Sequence, residues 1–310
     1  MKIITLTLNP AFDVHCEAER LVPHAENLFT VTSRDAGGKG VNISRALNEW
    51  GTESTPIVVL GRENCEDFLL ALKKAGLICR TVAVDGRIRE NITLHTPGEP
   101  ETRISFKGFS ADGTLLASVF EEVTGIADGS TVLTVTGSLP KGITAKDTVP
   151  YLTALKERGV RIVIDSRSFG TEDIAAVHPW LIKPNEEEIS LYYNDEITTL
   201  DTAAKAAASL RAVSDNVMIS LGAKGAALAT ESGEYLAEAP HVTPVSTVGA
   251  GDSSIAGFIA ATAESLSADS SLALAVAFGS AACTTEGTNP PPRALITELC
   301  KTVKVKAFAS

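Results

Sequence analysis

Cysteine, histidine and aromatic residues are all sparse in this chain, and each scarcity closes off a class of protein. The five cysteines (Cys16, Cys65, Cys79, Cys283 and Cys300) are odd in number, widely spaced and free of any C-x-x-C pair. That pattern argues against a disulfide scaffold and for reduced thiols. His15, His24, His95, His178 and His241 form neither H-E-x-x-H nor a cluster with cysteine, so no structural zinc is expected. Aromatics make up only 5% of the 310 residues, which leaves Ala, Val, Leu and Ile to build the core. No apolar run approaches bilayer-spanning length, and the opening MKIITLTLNP enters a strand pattern without an apolar leader. A soluble, cytoplasmic protein is expected. Basic charge is the last shortage: 27 Lys and Arg against 38 Asp and Glu leave a net charge of −11. Nucleic acid and anionic membrane are poor partners for such a surface. A small anion is not excluded, because a few local lysines and arginines can hold it.

Apolar residues, by contrast, reach 44%, enough for one large α/β domain with a small appendage. From about residue 112 short apolar runs alternate with helical patterns. TVLTVTG (131–137), VRIVIDS (160–166), LIKPN (181–185) and NVMISLG (216–222) are nearly continuous in apolar residues. Such strands belong to a parallel sheet covered on both faces, a doubly wound α/β fold. Residues 11–34 and 87–108 break the rhythm with polar alternation, as in RENITLH and TRISFKGF. They predict a small extra sheet serving as a lid or a dimer surface, separated by a helical pattern over 40–75.

Ligands of open α/β sheets bind beyond the carboxyl ends of the strands. TGSLPKG, IDS, LIKPN, ISLG and STVGAGD all fall at such ends. In STVGAGDSS (246–254) the glycines let backbone amides approach an anion at a helix start, with Asp252 beside it. A carboxylate there can take a proton from an attacking hydroxyl; equally, it can serve only as a helix-start acid. AGGKGVN (36–42) offers more backbone donors and the charge of Lys39, but it is not a Walker loop. GAGDSS lacks the third glycine of a dinucleotide fingerprint. In KPNEEE, Asn185 and Glu188 stand three apart at a helix start, suited to a hydrated Mg²⁺ or simply to solvent.

Taken in order along the chain, GGKGVN (37–42), TGSLPKG, KPNEEE, SLGAKGA and STVGAGDS (246–253) resemble the ribokinase-like (PfkB) family of carbohydrate kinases. TLTLNPAFD (5–13) is similar to its phosphosugar branch, in particular to the bacterial 1-phosphofructokinases. The resemblance implies a single ribokinase-like domain over 1–310, with lid strands inserted at about 11–34 and 87–108. It implies Asp252 as the catalytic base and the backbone of Gly249, Ala250 and Gly251 as the anion hole. ATP and Mg²⁺ follow: Asn185 and Glu188 for the metal, Lys183 and Thr247 near the phosphates, and Ser220, Gly222 and Gly225 bordering the nucleotide. Asp13, Gly38 and Asn42 fall to the sugar. Lys39 and Arg89 fall to its existing phosphate, with Asn91 and Ser138 as neutral donors. Arg87 shares the strand parity of Arg89 and faces either the pocket or solvent. A homodimer through the lid is implied as well.

The expected reaction is ATP plus D-fructose 1-phosphate giving ADP plus D-fructose 1,6-bisphosphate. Lys107, between an aromatic and Gly108, departs from the more usual small residue. Tagatose 6-phosphate and fructose 6-phosphate therefore stay open as acceptors. Two further readings compete. One is a kinase for an unphosphorylated sugar or nucleoside, disfavoured by Lys39 and Arg89; the other is a silent sugar-phosphate sensor, disfavoured by an intact GAGD.

Overall fold

A computed structural model describes residues 1–193 and 196–308. Strand β1 (Lys2–Thr7) enters the core at once. Then β2 (Ala11–Glu17) and β3 (Thr30–Gly37) leave it, and α1 (Lys39–Trp50) returns. Next come β4 (Thr55–Gly61), α2 (Cys65–Lys74), β5 (Arg80–Val84), β6 (Arg89–His95) and β7 (Thr102–Ser105). The regular half runs through α3 (Gly113–Ile126), β8 (Thr131–Thr136), α4 (Ala145–Glu157), β9 (Arg161–Asp165), α5 (Thr171–Val177) and β10 (Leu181–Ile182). A 3-10 turn (Glu188–Leu191) precedes α6 (Leu200–Leu210) and β11 (Asn216–Ser220). Another (Gly222–Lys224) leads to the hairpin β12 (Ala226–Thr230) and β13 (Gly233–Glu238). The chain closes with α7 (Ala250–Ala263), α8 (Ala268–Ala282), α9 (Arg293–Cys300) and β14 (Lys304–Phe308).

The main sheet has the order β14-β13-β12-β11-β10-β9-β8-β1-β4-β5. Pairing from β5 to β11 is parallel, and β12 to β14 add an antiparallel flank. The central strands are buried along their length, which is why their sequences show no alternation. On one face lies a cluster with Leu116, Phe120, Leu152 and Ala206; on the other, one with Leu47, Ile255, Ala277 and Phe278. The doubly wound expectation holds. The 40–75 expectation needs correction, since residues 55–61 form β4, buried between β1 and β5. Its Val58 and Val59 are fully buried, and a short buried strand cannot be told from a helical segment by periodicity alone.

A second sheet, ordered β3-β2-β6-β7, stands apart from the first. Phe12, Val14, Cys16 and Leu94 pack on Phe68 and Leu72 of α2. Strand parity turns Asp13, His15, Arg89 and Asn91 to the opposite, polar face, with Asp13 paired to Asn91 in the β2–β6 register. Because β3 ends at Gly37 and α1 begins at Lys39, the small sheet is joined almost directly to a core helix.

Candidate active site

Asp252 lies in the first turn of α7 and is 5% exposed. Gly249 caps that helix at φ 79°, a left-handed conformation that glycine adopts without strain. The first-turn amides beyond it lack helical acceptors and point out of the helix end, where the dipole favours an anion. Asn42 of α1 donates Nδ2–H to Asp252 Oδ2 at 2.8 Å. Burial pushes the Asp252 carboxyl up to about 6; Asp165 adds to the rise, while Lys39, Asn42 and Lys183 oppose it. The result is an acid poised to exchange a proton near neutral pH.

Below it lies an ion cluster at the ends of β9 and β10. Asp165 is 3% exposed, and its Oδ2 accepts from Lys39 Nζ at 2.8 Å while Oδ1 stands 3.8 Å from Lys183 Nζ. Burial would raise the Asp165 carboxyl, but the two ammoniums outweigh it and hold the group below its usual value. Burial likewise works against the Lys39 ammonium, and Asp165 and Asp252 more than compensate, raising it. Lys183 reaches the glycine turn, its Nζ 3.1 Å from where a Cβ on Gly251 would sit.

On the side of the small sheet, Asn91 Nδ2 donates to Asp13 Oδ1 at 3.1 Å. Gly37 backs directly onto the Asp13 carboxylate, and Gly38, at φ 119°, caps α1. Burial raises the Asp13 carboxyl, with Asn91 opposing. Arg89 donates to the carbonyls of Phe106 at 3.1 Å and Asn9 at 3.3 Å, and to Ser138 Oγ at 3.3 Å. Burial lowers its guanidinium, and the charge it feels in return is that of Asp13. Asn9 ties the same place together, donating Nδ2–H to Ser138 Oγ at 3.0 Å and to the Lys107 carbonyl at 3.3 Å. Among the described residues Asn9 Oδ1, Asn42 Oδ1, Asn91 Oδ1 and Arg89 Nε are buried without a partner, as are the hydroxyls of Thr7 in β1 and of Thr134 and Thr136 in β8. A buried polar atom left unpaired costs about 1–3 kcal/mol, which a polar ligand reaching the asparagines and Arg89 would recover.

The remaining candidates border a different edge. Asn185 Oδ1 accepts from the amides of Glu187 and Glu188 at 3.0 and 2.8 Å, so it is engaged in capping the 3-10 turn. Glu188 Oε2 accepts from the Asn185 amide at 3.2 Å, and its Oε1 from Arg167 Nε at 2.9 Å. Ser220 bridges to Asn185 at the end of β11; Gly222 and Gly225 frame the following turn, and Thr247 is exposed at the approach to the α7 start.

No group of three or more acidic, His or Cys side chains poised for a metal occurs among the described residues. A dedicated cage is therefore not what these residues fit. They fit a hydrated Mg²⁺ that takes most of its ligands from phosphate and water, with Glu188, 8% exposed, as the carboxylate beside it.

The expected residues thus come together in two groups. Asp252, Asn42, Lys39 and Lys183 share one ion cluster, while Asp13, Asn91, Arg89 and Ser138 share the polar face of the small sheet and its rim. Lys39 and Arg89, both expected at the sugar's existing phosphate, share no hydrogen-bond partner among the described residues. Arg87 is exposed just before β6. Asp165 and Asn9 are absent from the expectations although both sit in quoted motifs, IDS and TLNP; their positions at strand ends were the available signal.

A buried carboxyl raised toward neutrality lies beside helix-end amides and two ammoniums beyond the carboxyl edge of an α/β sheet, an arrangement suited to phosphoryl transfer onto a hydroxyl. Residues 11–294 match the pfkB family of carbohydrate kinases, and the chain belongs to that family. It is 30% identical to a 1-phosphofructokinase of Vibrio cholerae over 308 residues, covering 99% of this chain and 97% of the relative. It is 29% identical to the ATP-dependent 6-phosphofructokinase isozyme 2 of Escherichia coli, covering 93% and 94%. A crystal structure of phosphofructokinase-2 from Escherichia coli in complex with substrates and products superposes with a TM-score of 0.90 at 27% identity, covering 97% and 99%. Among the described residues no helix is long and apolar enough to cross a membrane.

Proposed function

We propose that this chain transfers a phosphoryl group from ATP to a sugar that already bears a phosphate, and that the acceptor is D-fructose 1-phosphate. The product is then D-fructose 1,6-bisphosphate. The observation that carries the reading is the set of unpartnered buried polar atoms: that of Asn42 beside Asp252, and those of Asn9, Asn91 and Arg89 at the small sheet and its rim. They supply hydroxyl partners and one cationic donor, the needs of a phosphorylated sugar. The relatives named as 1-phosphofructokinases support the C1-phosphate choice. The isozyme 2 relative makes fructose 6-phosphate the acceptor to test against it.

In this reading Asp13 and Asn42 grip sugar hydroxyls. Arg89, with Asn91 and Ser138, holds the phosphate already present, so the far hydroxyl faces Asp252. Asp252 accepts that hydroxyl's proton as the oxygen attacks in line. The amides of Gly249, Ala250 and Gly251 donate to the equatorial oxygens of the group in transit. Ser220, Gly222, Gly225 and Thr247 border the nucleotide. Asn185 and Glu188 would hold hydrated Mg²⁺, which when bound offsets charge on the ATP phosphates. The small sheet acts as a lid inserted in one kinase domain, excluding water from the transfer. Its apolar face ends in exposed Val31, Ile104 and Phe106, which supports lid-to-lid pairing of two copies. The site belongs to the cytoplasmic metabolism of sugar phosphates.

ADP release with Mg·ATP is the test, across fructose 1-phosphate, fructose 6-phosphate, tagatose 6-phosphate, fructose and ribose. A kcat/KM for fructose 1-phosphate at least about tenfold above the others supports the reading. A preference for a 6-phosphate refutes the C1 choice, and activity on free sugars alone refutes the phosphate site.

A further inference from the structure

The resident phosphate and the phosphoryl group in transit are two separate anions, and the structure distributes its cations between them unevenly. Arg89 contacts Asn9, Phe106 and Ser138. Lys39 shares none of these partners; its ammonium turns to Asp165 at 2.8 Å, the residue that also stands 3.8 Å from Lys183. Lys183 in turn abuts Gly251 of the anion turn. The other charges that reach Lys39 are those of Asp252 and Glu188, both on the transfer side. A Cβ on Gly137 would sit 3.7 Å from the Lys39 Cβ, and the Arg89 partner Ser138 is the next residue.

We infer that Lys39 and Lys183, both anchored on Asp165, form a two-ammonium seat for the phosphoryl group in transit. Asp165 is their positioning residue, and Lys39 does not hold the substrate's resident phosphate. The inference rests on the phosphosugar-kinase reading and refines it. Lys39 and Lys183 face Asp165, while Arg167 is taken up by Glu187 and Glu188 at 2.9 Å each, so the two lysines are the cations left to meet an anion. The two lysines differ in access: the Lys39 side chain is 33% exposed and that of Lys183 only 3%. Lys39 has the freedom to swing from Asp165 onto an incoming oxygen, while Lys183 stays fixed against the turn. Asp165 thereby orders both long side chains beside the anion turn in advance, so less conformational freedom is lost when the phosphoryl group arrives.

The test combines binding and turnover for Lys39→Met, a change at a partly exposed helix start that leaves the core intact. Calorimetric titrations use AMP-PNP with Mg²⁺, ADP with Mg²⁺, and fructose 1-phosphate alone. The expected result is a loss of about tenfold or more for AMP-PNP, with ADP and fructose 1-phosphate within about threefold. In turnover, kcat falls by about 100-fold with KM for the phosphosugar little changed. Asp165→Asn, checked by thermal melting, follows the same pattern with a smaller loss. A loss confined to fructose 1-phosphate, or an equal loss for AMP-PNP and ADP, overturns the inference. If the unmodified enzyme neither binds nor phosphorylates any phosphosugar, the acceptor reading fails, while the AMP-PNP to ADP comparison still decides the role of Lys39.

Discussion

Asp252→Asn should make the protein more stable while making it a poor catalyst. The native carboxyl is raised from 3.8 to about 6, so ionising it inside the fold costs free energy that the unfolded chain does not incur. At about 1.4 kcal/mol per unit this is about 3 kcal/mol at neutral pH. The sign follows from the raised value. Stability contributed by the protonated form is complete below about pH 4 and is lost as the pH climbs to about 6. Asparagine is neutral throughout, and its amide can accept from Asn42 Nδ2 while donating to Asn42 Oδ1, which has no partner. With an unfolding entropy of about 2 cal/mol/K per residue, about 3 kcal/mol is about 5 °C for a chain of this length. Thermal melts of both proteins without ligand, at pH 5 and pH 8, are the assay. The variant should melt about 5 °C higher at pH 8, with about half that gain at pH 5, and its kcat should fall by roughly 100-fold or more. A variant less stable than its parent at pH 8, or a gain independent of pH, would refute the account of why this carboxyl is buried.

The same carboxyl sets the acid limb of the rate: log kcat/KM should decline with unit slope below about pH 6, and a limb near pH 4 would remove Asp252 as base. Arg89→Ala should raise KM for the phosphosugar by about 10- to 100-fold, the worth of a charged hydrogen bond, with kcat within severalfold; steady-state kinetics with each substrate varied will show it, and an unchanged KM places the phosphate elsewhere. Glu188→Gln removes a carboxylate charge while Arg167 keeps its pair with Glu187, and should raise the Mg²⁺ concentration for half-maximal rate by about tenfold, measured at fixed ATP; no change excludes Glu188 from the metal.

Much of this architecture is legible in residues alone. β8, β9 and β11 announce themselves as continuous apolar runs, because a strand covered on both faces has no polar side. The glycine turn before α7 is legible for a similar reason, since only small residues permit so close a backbone approach. β4 is not, being seven residues whose apolar character serves a helix or a strand equally well. The pairing of Lys39 with Asp165 is hidden for another reason. A charge partner 126 positions away leaves no local mark, and Asp165 reads as an ordinary strand-end acid. Asn9 escapes notice likewise, because its work is done on residues of the 107 and 138 loops.

Asn42 and Asp252 are separated by 210 positions, and β1, at the start of the chain, lies between β4 and β8. The first strand made must wait for residues beyond 130 before its second neighbour exists. The base waits longer still, until α7 has emerged and α8 has been laid against it. A nascent chain on the ribosome therefore acquires the small sheet and α1 early, and Asp252 only with α7. Until α7 emerges, no growing chain holds the Asn42–Asp252 pair, and the transfer proposed for that pair is withheld with it.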